Sequence, residues 1–175
     1  MQKKLIVACD GSCLKNPGGQ IGWAWADNHG RWQANGAVTG SNQKAELLGL
    51  LSVFYAFPST DLHILLDSQY ALNLTSEWMY AWKKNGWYRD ANRTKPVSNL
   101  VYVQAIYQAM QVRRQKNLKT TFEWVKGHAT NTLNNKADRE ALAAAKRVKN
   151  NEPGYRDSAG NTTSERQSRM LAAVT

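Results

Sequence analysis

The sequence predicts an α/β fold in which a mixed sheet of five strands carries helices on both faces. Three short apolar runs are typical of buried strands, at 5–9, 62–66 and 120–125. Two further strand-like runs, 21–27 and 31–38, are joined by Asn28-His29-Gly30, which is a hairpin signal. Helical segments separate the later strands, and such crossovers make strands parallel. An antiparallel meander followed by parallel strands gives a mixed sheet.

Several segments of the chain are predicted to be helical. They are 41–57, the residues from Ser68 onward, a bent Trp-rich stretch at 78–86, then 97–116, 134–149 and 164–174. Ser41 can cap the first helix, and Pro58 stops it. The helix at 134–149 is rich in alanine, the residue with the highest helix propensity. At 175 residues, the chain is long enough for one domain with a sizeable core.

Charge divides the chain into a body and a tail. The net charge is +10, which is typical of a protein with a polyanionic partner, either nucleic acid or a membrane surface. Residues 150–175 hold three arginines and three acids, so all of the excess lies in residues 1–149. We therefore expect a functional domain at 1–149 and a C-terminal tail at 150–175. The tail could be a mobile end, a peptide that docks a protein partner, or a segment packed on the body.

Composition argues against several classes of protein. No apolar run is long enough to span a membrane, and the five apolar residues before Asp10 are too few for a signal peptide. A disulfide framework or a zinc site would need further Cys or His residues near Cys9 and Cys13. The two cysteines are therefore interpreted as reduced packing residues. These observations favour a cytoplasmic protein with no membrane partner. No second apolar stripe is evident, so a monomer is expected.

Two acids occupy equivalent places in the predicted sheet. Asp10 and Asp67 each come directly after a short buried strand. If those strands are parallel neighbours, both carboxylates lie at the edge where open α/β sheets bind ligands. Either acid alone could simply cap a turn or a helix, so the pair is more informative than its members.

Two further acids, Glu46 and Asp138, lie in the first turns of predicted helices, where a single acid usually serves the helix dipole. Four carboxylates brought together would repel one another and raise each other's pKa. Hard divalent cations remove that penalty, and all-oxygen ligation suits Mg²⁺ or Mn²⁺. Two such ions are a standard arrangement for in-line attack at a phosphodiester. His128, on a predicted loop, is either a solvated residue or a proton carrier beside such a site.

Five segments together resemble bacterial-type ribonuclease HI. They are DGSCLKNPGG at 10–19, SNQKAELLGL at 41–50, LDSQYALNL at 66–74, WMYAWKKNGW at 78–87 and EWVKGHATNTLNNKADREALAAA at 123–145. They occur in family order and cover nearly all of residues 5–148. The resemblance implies a ribonuclease H-like fold. It also implies an endonuclease that hydrolyses the RNA strand of RNA–DNA hybrids, depends on Mg²⁺ and leaves 5′-phosphate and 3′-hydroxyl ends.

The resemblance implies roles for individual residues. The family's four metal-site carboxylates are matched here by Asp10, Glu46, Asp67 and Asp138. His128 matches a loop histidine that moves protons during product release. Positions that touch the hybrid in the family are held by Asn16, Ser41, Asn42, Gln69 and Asn134. Amides at such positions could read 2′-hydroxyls, which distinguish RNA from DNA.

A basic and aromatic segment at about 78–96 matches what the family calls its basic handle, which grips the DNA strand. From residue 78 to residue 95 it has five cations against one acid, Asp90. Basic residues interleaved with aromatic ones suit a nucleic-acid backbone. The predicted contacts are Trp78, Lys83 and Lys84. Trp82 and Trp87 are expected in the core, and the basic residues from Arg113 to Lys119 are interpreted as a solvated helix end.

Other functions remain open at this point. A different two-metal nuclease of the same superfold would share the carboxylates, although the handle and the Lys126-Gly127-His128 loop favour a ribonuclease H. A non-catalytic module that binds hybrids would have lost at least one carboxylate, and all four are present. A basic surface protein with unrelated acids would not place Asp10 and Asp67 both at strand ends.

Overall fold

The structure, a computed structural model, describes residues 4–174. Its strands are β1 (Leu5–Cys13), β2 (Ile21–Asp27), β3 (Trp32–Ala37), β4 (Leu62–Leu66), β5 (Thr120–Trp124) and β6 (Arg156–Asp157). Its α-helices are α1 (Asn42–Ala56), α2 (Gln69–Asn73), α3 (Met79–Lys84), α4 (Leu100–Gln115), α5 (Thr132–Lys149) and α6 (Glu165–Val174). A π-helical turn, Leu74–Trp78, joins α2 to α3.

The strands form one mixed sheet in the order β5-β4-β1-β2-β3-β6. β1, β4 and β5 are parallel, whereas β2, β3 and β6 pair antiparallel. The predicted fold class is confirmed. The sheet has six strands rather than five because Arg156 and Asp157 pair with β3. A strand of two polar residues has no hydrophobic period, so the sequence pattern could not indicate it.

β1 is longer than predicted, and its register decides where Asp10 lies. β4 pairs with β1 as far as Ala8, whereas β2 accompanies β1 as far as Cys13. Asp10 therefore lies within a strand, opposite Ala24, just beyond the point where its parallel neighbour ends. Asp67 directly follows β4. The two acids consequently share the carboxyl edge of the parallel pair, as the sequence predicts.

Helices cover both faces of the sheet, with α1 on one face and α5 on the other. α1 is buried along the whole of Leu47–Phe54. It lies close against β1, since a Cβ at Gly11 would come within 2.3 Å of the Ala45 backbone. This contact sets the start of α1, and with it Glu46, directly beside Asp10. Side-chain caps fix the helix starts: Ser41 caps α1, Ser68 caps α2 and Asn131 caps α5.

The basic handle, residues 78–96, is folded against the body. Gly86 and Trp87 both have positive φ (69° and 68°), and the chain reverses there. Trp87 then packs edge-on against Tyr107 of α4, with ring centroids 5.6 Å apart. Asp90 closes the handle loop by accepting hydrogen bonds from Thr94 and Lys95. Those bonds, the Thr94 hydroxyl first, lower the pKa of Asp90 to about 2.

Residues 150–174 pack on the body, which is one of the three arrangements left open by the sequence. α6 contacts α1 and α4, and its Met170 and Val174 side chains join the main core. Gln167 is 2% exposed and links the tail to the sheet. Its carbonyl oxygen accepts from Trp23 Nε1 (3.4 Å), and its amide donates to Gln33 Oε1 (3.2 Å).

The link continues as a chain of hydrogen bonds. Gln33 Nε2 donates to the Tyr155 hydroxyl (2.8 Å), and that hydroxyl donates to Asp157 Oδ2 (2.9 Å). Gln33 also accepts from Trp25 Nε1 (2.8 Å). The tail is therefore fixed to β2 and β3 by polar as well as apolar contacts.

Between residues 4 and 174, no helix has both the length and the apolar character needed to cross a bilayer.

Candidate active site

The structure brings four acids from four elements to one edge of the sheet. Asp10 comes from β1, Glu46 from α1, Asp67 from the end of β4 and Asp138 from α5. The negative charges of Asp67, Asp138 and Glu46 each raise the pKa of Asp10, so all three lie within electrostatic reach of it. The acids that the sequence singled out therefore form one cluster.

Asp10 is the most strongly perturbed member of this cluster. It is 8% exposed. Burial first, and then the charge of Asp67, raise its pKa from 3.8 to about 8. The Gly11 backbone N–H donates to Asp10 Oδ1 (2.8 Å), which lowers the pKa but does not offset the other effects. At neutral pH, Asp10 is thus held where a negative charge is unfavourable unless a cation joins it.

Glu46 is half-buried and is held by Ser68. The Ser68 hydroxyl donates to Glu46 Oε2 (2.6 Å) and also caps α2 by accepting from Ala71 N–H. Burial raises the pKa of Glu46, the bond from Ser68 lowers it, and the charge of Asp67 raises it again, with a net increase. Ser68 directly follows Asp67 in the chain, so its bond to Glu46 links the acid after β4 to the acid of α1. The sequence indicated only that a helix starts at Ser68, because its contact with α1 is long-range.

Asp67 is contacted by residues from two other elements. Trp124 Nε1, at the end of β5, donates to the Asp67 backbone carbonyl (3.1 Å). Asn134 Nδ2, in α5, donates to Asp67 Oδ2 (3.2 Å). The loop after β5 also passes close by, since a Cβ at Gly127 would be 2.9 Å from Asp67 Oδ2. The position of Asp67 is therefore fixed by its surroundings as well as by β4.

His128 lies at the outer side of the cluster. Its ring Nδ1 is 3.6 Å from Asp138 Oδ2, and its side chain is 84% exposed. Its backbone has a φ of 54°, in the left-handed region, within the loop that joins β5 to α5. An exposed imidazole beside a carboxylate can exchange protons with solvent.

The donor chemistry of the cluster fits a hard divalent cation. All four side chains offer carboxylate oxygens, which Mg²⁺ and Mn²⁺ prefer. Burial first, and then the neighbouring negative charges, raise the pKa of Asp10, and a bound cation would relieve both effects. As the side chains stand, no three His, Cys, Asp or Glu residues of the described chain are arranged to hold an ion. Rotation of the carboxylates would have to bring their oxygens onto a common ion.

The polar residues predicted to touch a hybrid differ in exposure. Asn16 and Asn42 are exposed and connected, since Asn42 N–H donates to Asn16 Oδ1 (3.0 Å). Gln69 is exposed two residues after Asp67, and Ser41 is half-buried as the cap of α1. Asn134, in contrast, is 1% exposed. Four of the five predicted positions are therefore at least partly exposed, and Asn134 is buried.

The handle contributes exposed cations and an aromatic cavity. Lys83 and Lys84 are exposed at the end of α3, in the handle rather than in the acidic cluster. Trp78 and Trp82 have ring centroids 5.7 Å apart. They line a cavity of about 330 Å³, together with Gln43, Tyr70, Arg89 and Ser98. Trp82, expected in the core, is half-buried: it packs against the main core and also borders this cavity.

Comparison with known proteins places the chain in a family. Residues 2–146 match the family model described as RNase H. The chain is 37% identical to "Ribonuclease H" of Tropheryma whipplei (strain Twist), over 81% of this chain and 84% of that protein. It is 35% identical to "Ribonuclease HI" of Streptomyces coelicolor, over 83% of this chain and 63% of that protein.

Solved structures share the fold at lower identity. The crystal structure of LC9-RNase H1, a type 1 RNase H with the type 2 active-site motif, is similar with a TM-score of 0.71. It is 22% identical, and the similarity covers 98% of this chain and 84% of that one. The foamy viral protease-reverse transcriptase in complex with an RNA/DNA hybrid is similar with a TM-score of 0.66. It is 17% identical, over 81% of this chain and 20% of that one. The solved structures show the fold, whereas the match over residues 2–146 and the identities to the two bacterial proteins show that the chain belongs to the ribonuclease H family, in its bacterial type 1 group.

Proposed function

We propose that this protein is an endonuclease that cuts the RNA strand of RNA–DNA hybrids and leaves 5′-phosphate and 3′-hydroxyl ends. Family membership supports the activity on hybrids. The single observation that carries the catalytic assignment is the electrostatic coupling of Asp10 to Asp67, Asp138 and Glu46 at one sheet edge. These four acids are the proposed metal ligands, and the same four with His128 are the proposed catalytic residues.

The proposed reaction is in-line hydrolysis. The oxygen of a water molecule forms a bond to phosphorus and loses a proton to the solvent, the bond from phosphorus to the 3′-oxygen breaks, and that oxygen takes up a proton. When bound, two Mg²⁺ ions, or Mn²⁺ in their place, would supply the Lewis acidity that stabilises the charge developing on the phosphate. His128, exposed and 3.6 Å from Asp138, would exchange protons between the site and bulk water as product leaves.

Substrate recognition is proposed to use two surfaces. The exposed amides of Asn16, Asn42 and Gln69 suit recognition of 2′-hydroxyls on the RNA strand. Ser41, next to Asn42 in the chain, is a further proposed contact, although its hydroxyl already caps α1 by accepting from the Lys44 N–H. The handle, through Trp78, Lys83 and Lys84, would hold the DNA strand by ring stacking and phosphate contacts.

A cleavage assay tests this function. A labelled RNA–DNA hybrid is incubated with the wild type and with Asp10→Asn, each with Mg²⁺ or with EDTA. Of these reactions, we expect cleavage only in the one that combines the wild type with Mg²⁺. Asp61→Asn is the matched control, because Asp61 is an exposed acid whose carboxylate accepts a hydrogen bond from Lys119 N–H. It should cleave like the wild type.

The other candidate functions give different outcomes. A non-catalytic module would bind the hybrid without cutting it in any of these conditions. A different nuclease of the same superfold would prefer duplex DNA or a branched DNA junction over the hybrid. Equal cleavage by the wild type and Asp10→Asn would remove the carboxylate cluster from the mechanism.

A further inference from the structure

Asn134 is a buried amide at the edge of the acidic cluster. It lies in the first turn of α5, where its backbone N–H donates to the capping Asn131 Oδ1 (2.9 Å). Asp138 follows four residues later, so the two side chains lie on one face of the helix. Asn134 is 1% exposed. A side chain so deeply buried is poorly placed to touch a hybrid that lies on the surface.

The two ends of the Asn134 amide have different surroundings. Nδ2 donates to Asp67 Oδ2 (3.2 Å). Oδ1 has no hydrogen-bond partner, and it is the one buried side-chain nitrogen or oxygen of residues 4–174 in that state. Exchanging the two ends would set an oxygen against the Asp67 carboxylate, so the acceptor fixes which end is the donor. An unpaired buried oxygen is normally unfavourable, and it needs an explanation.

Asp67 needs an orienting group. Its backbone carbonyl is held by Trp124, and Gly127 leaves room beside Oδ2. A carboxylate whose backbone is fixed can still rotate about its last side-chain bond. The bond from Asn134 Nδ2 fixes that rotation, because it commits Oδ2 and leaves Oδ1 free to be presented elsewhere.

We propose that Asn134 is a positioning residue of the nuclease site, an inference that rests on the function proposed above. Its Nδ2 orients the Asp67 carboxylate for the cation. Its unpaired Oδ1 accepts a hydrogen bond from a water molecule held among the carboxylates when the cation is present. The role thus differs from the contact with the hybrid that the sequence predicts at this position.

Asn134→Leu tests the proposal, because leucine branches at the same carbon as asparagine but has neither of its polar atoms. Groups that orient metal-ligating carboxylates commonly affect metal affinity or activity by about 10–100-fold. We expect Mg²⁺ affinity, measured by calorimetry without nucleic acid, to fall by about 10-fold or more. We expect kcat to fall similarly, with KM for the hybrid within about 2-fold of the wild type.

Thermal unfolding in EDTA separates positioning from a purely structural role. The substitution removes a buried unpaired oxygen, so Tm is expected to stay within about 2 °C of the wild type or to rise. A lower Tm with unchanged Mg²⁺ affinity would overturn the proposal in favour of a structural role. A raised KM with unchanged Mg²⁺ affinity would overturn it in favour of a contact with the hybrid.

Asn134→Asp and Asn42→Ala complete the design. Asn134→Asp keeps the shape and the oxygen but removes the donor to Asp67, so its kcat should fall as in Asn134→Leu. Full activity of Asn134→Asp would overturn the proposal. Asn42→Ala, at an exposed predicted contact, should raise KM and leave Mg²⁺ affinity unchanged. If the wild type did not cut hybrids, the proposed function would fail, whereas the calorimetric result would still report on Asp67.

Discussion

Two aspartates of the sheet, the buried Asp10 in an interior strand and the half-buried Asp157 in an edge strand, have opposite surroundings. Asp10, at the edge formed by β1 and β4, accepts a hydrogen bond from the Gly11 N–H, and burial and neighbouring carboxylates raise its pKa to about 8. Asp157, in the tail strand β6, accepts from the Tyr155 hydroxyl and from both nitrogens of Asn161. Burial alone would raise the pKa of Asp157, but these bonds outweigh it and lower the pKa.

The difference teaches how one small domain divides stability from function. At the tail edge, polar side chains satisfy one another, as in the chain of bonds from Trp23 through Gln167 and Gln33 to Tyr155. At the acidic edge, charges of one sign are gathered and an amide oxygen of Asn134 is unpaired. Unsatisfied groups destabilise the protein alone, but they provide binding energy for a ligand that satisfies them.

The largest expected effect is a contrast between two Asp→Asn variants, one of which loses activity and the other stability. Asp10→Asn should lower hybrid cleavage by at least about 10³-fold, because it removes a metal-ligating charge from the centre of the cluster. Asp157→Asn should leave cleavage at 25 °C unchanged but lower the free energy of unfolding by about 1–3 kcal/mol, since charge-assisted bonds are lost. Cleavage rates and urea unfolding check the pair. Loss of cleavage in Asp157→Asn would break the comparison.

A second expectation concerns the apolar part of the tail edge. Met170 is fully buried, so Met170→Ala should lower the free energy of unfolding by about 2–4 kcal/mol in a single cooperative urea transition. Val101→Ala, at a residue that is 50% exposed on α4, is the control and should change stability by less than about 0.5 kcal/mol. A separate early transition in Met170→Ala would mean that the tail unfolds independently of the body.

A third expectation is the pH dependence of the protein without metal. The folded-state pKa of Asp10, about 8, lies above its ordinary value of 3.8, so folding favours the protonated form. The contribution of Asp10 to the free energy of unfolding is therefore fully present below about pH 4 and is lost as pH rises towards 8. In EDTA, Asp10→Asn should remove this loss and exceed the wild type by about 2–4 kcal/mol at pH 8. Melting curves from pH 5 to 9 check this. Parallel curves for the two proteins would contradict it.

The smallest expected effect concerns the handle. Replacing Lys83 and Lys84 together by alanine should weaken hybrid binding and reduce the slope of log Kd against log salt by about 2. Binding is measured in the Asp10→Asn background, which prevents cleavage. Lys146→Ala plus Lys149→Ala, at exposed cations of α5 outside the handle, is the matched control. An unchanged slope in the handle variant would show that these lysines do not contact phosphate.

The sequence predicted much of the fold because its signals are local. Apolar runs gave the strands from β1 to β5, and the caps Ser41 and Ser68 gave helix starts that the structure confirms. β6 escaped prediction because its pairing with β3 joins residues more than 120 positions apart. The carboxylates could be grouped from sequence because Asp10 and Asp67 follow parallel strands, and parallel neighbours end at the same edge.

Arg113 shows where local reasoning is wrong. Its interpretation as part of a solvated helix end follows from the basic residues around it, but its side chain is 3% exposed. The guanidinium donates to the Phe57 and Thr60 carbonyls and to the Thr120 hydroxyl. These acceptors lie in the loop before β4 and at the start of β5, so the sequence near Arg113 contains no sign of them.

The sequence by itself indicated every strand but β6, the order of the elements and the four candidate acids, because these signals depend on residues close together in the chain. Tertiary structure alone decided that Asn134 is buried against Asp67, that Ser68 holds Glu46, and that the tail is fixed to β2 and β3. The physical reason is the range of the interactions. Helix caps and strand periods act over a few residues, whereas burial and side-chain hydrogen bonds depend on which distant segments the folded chain brings into contact.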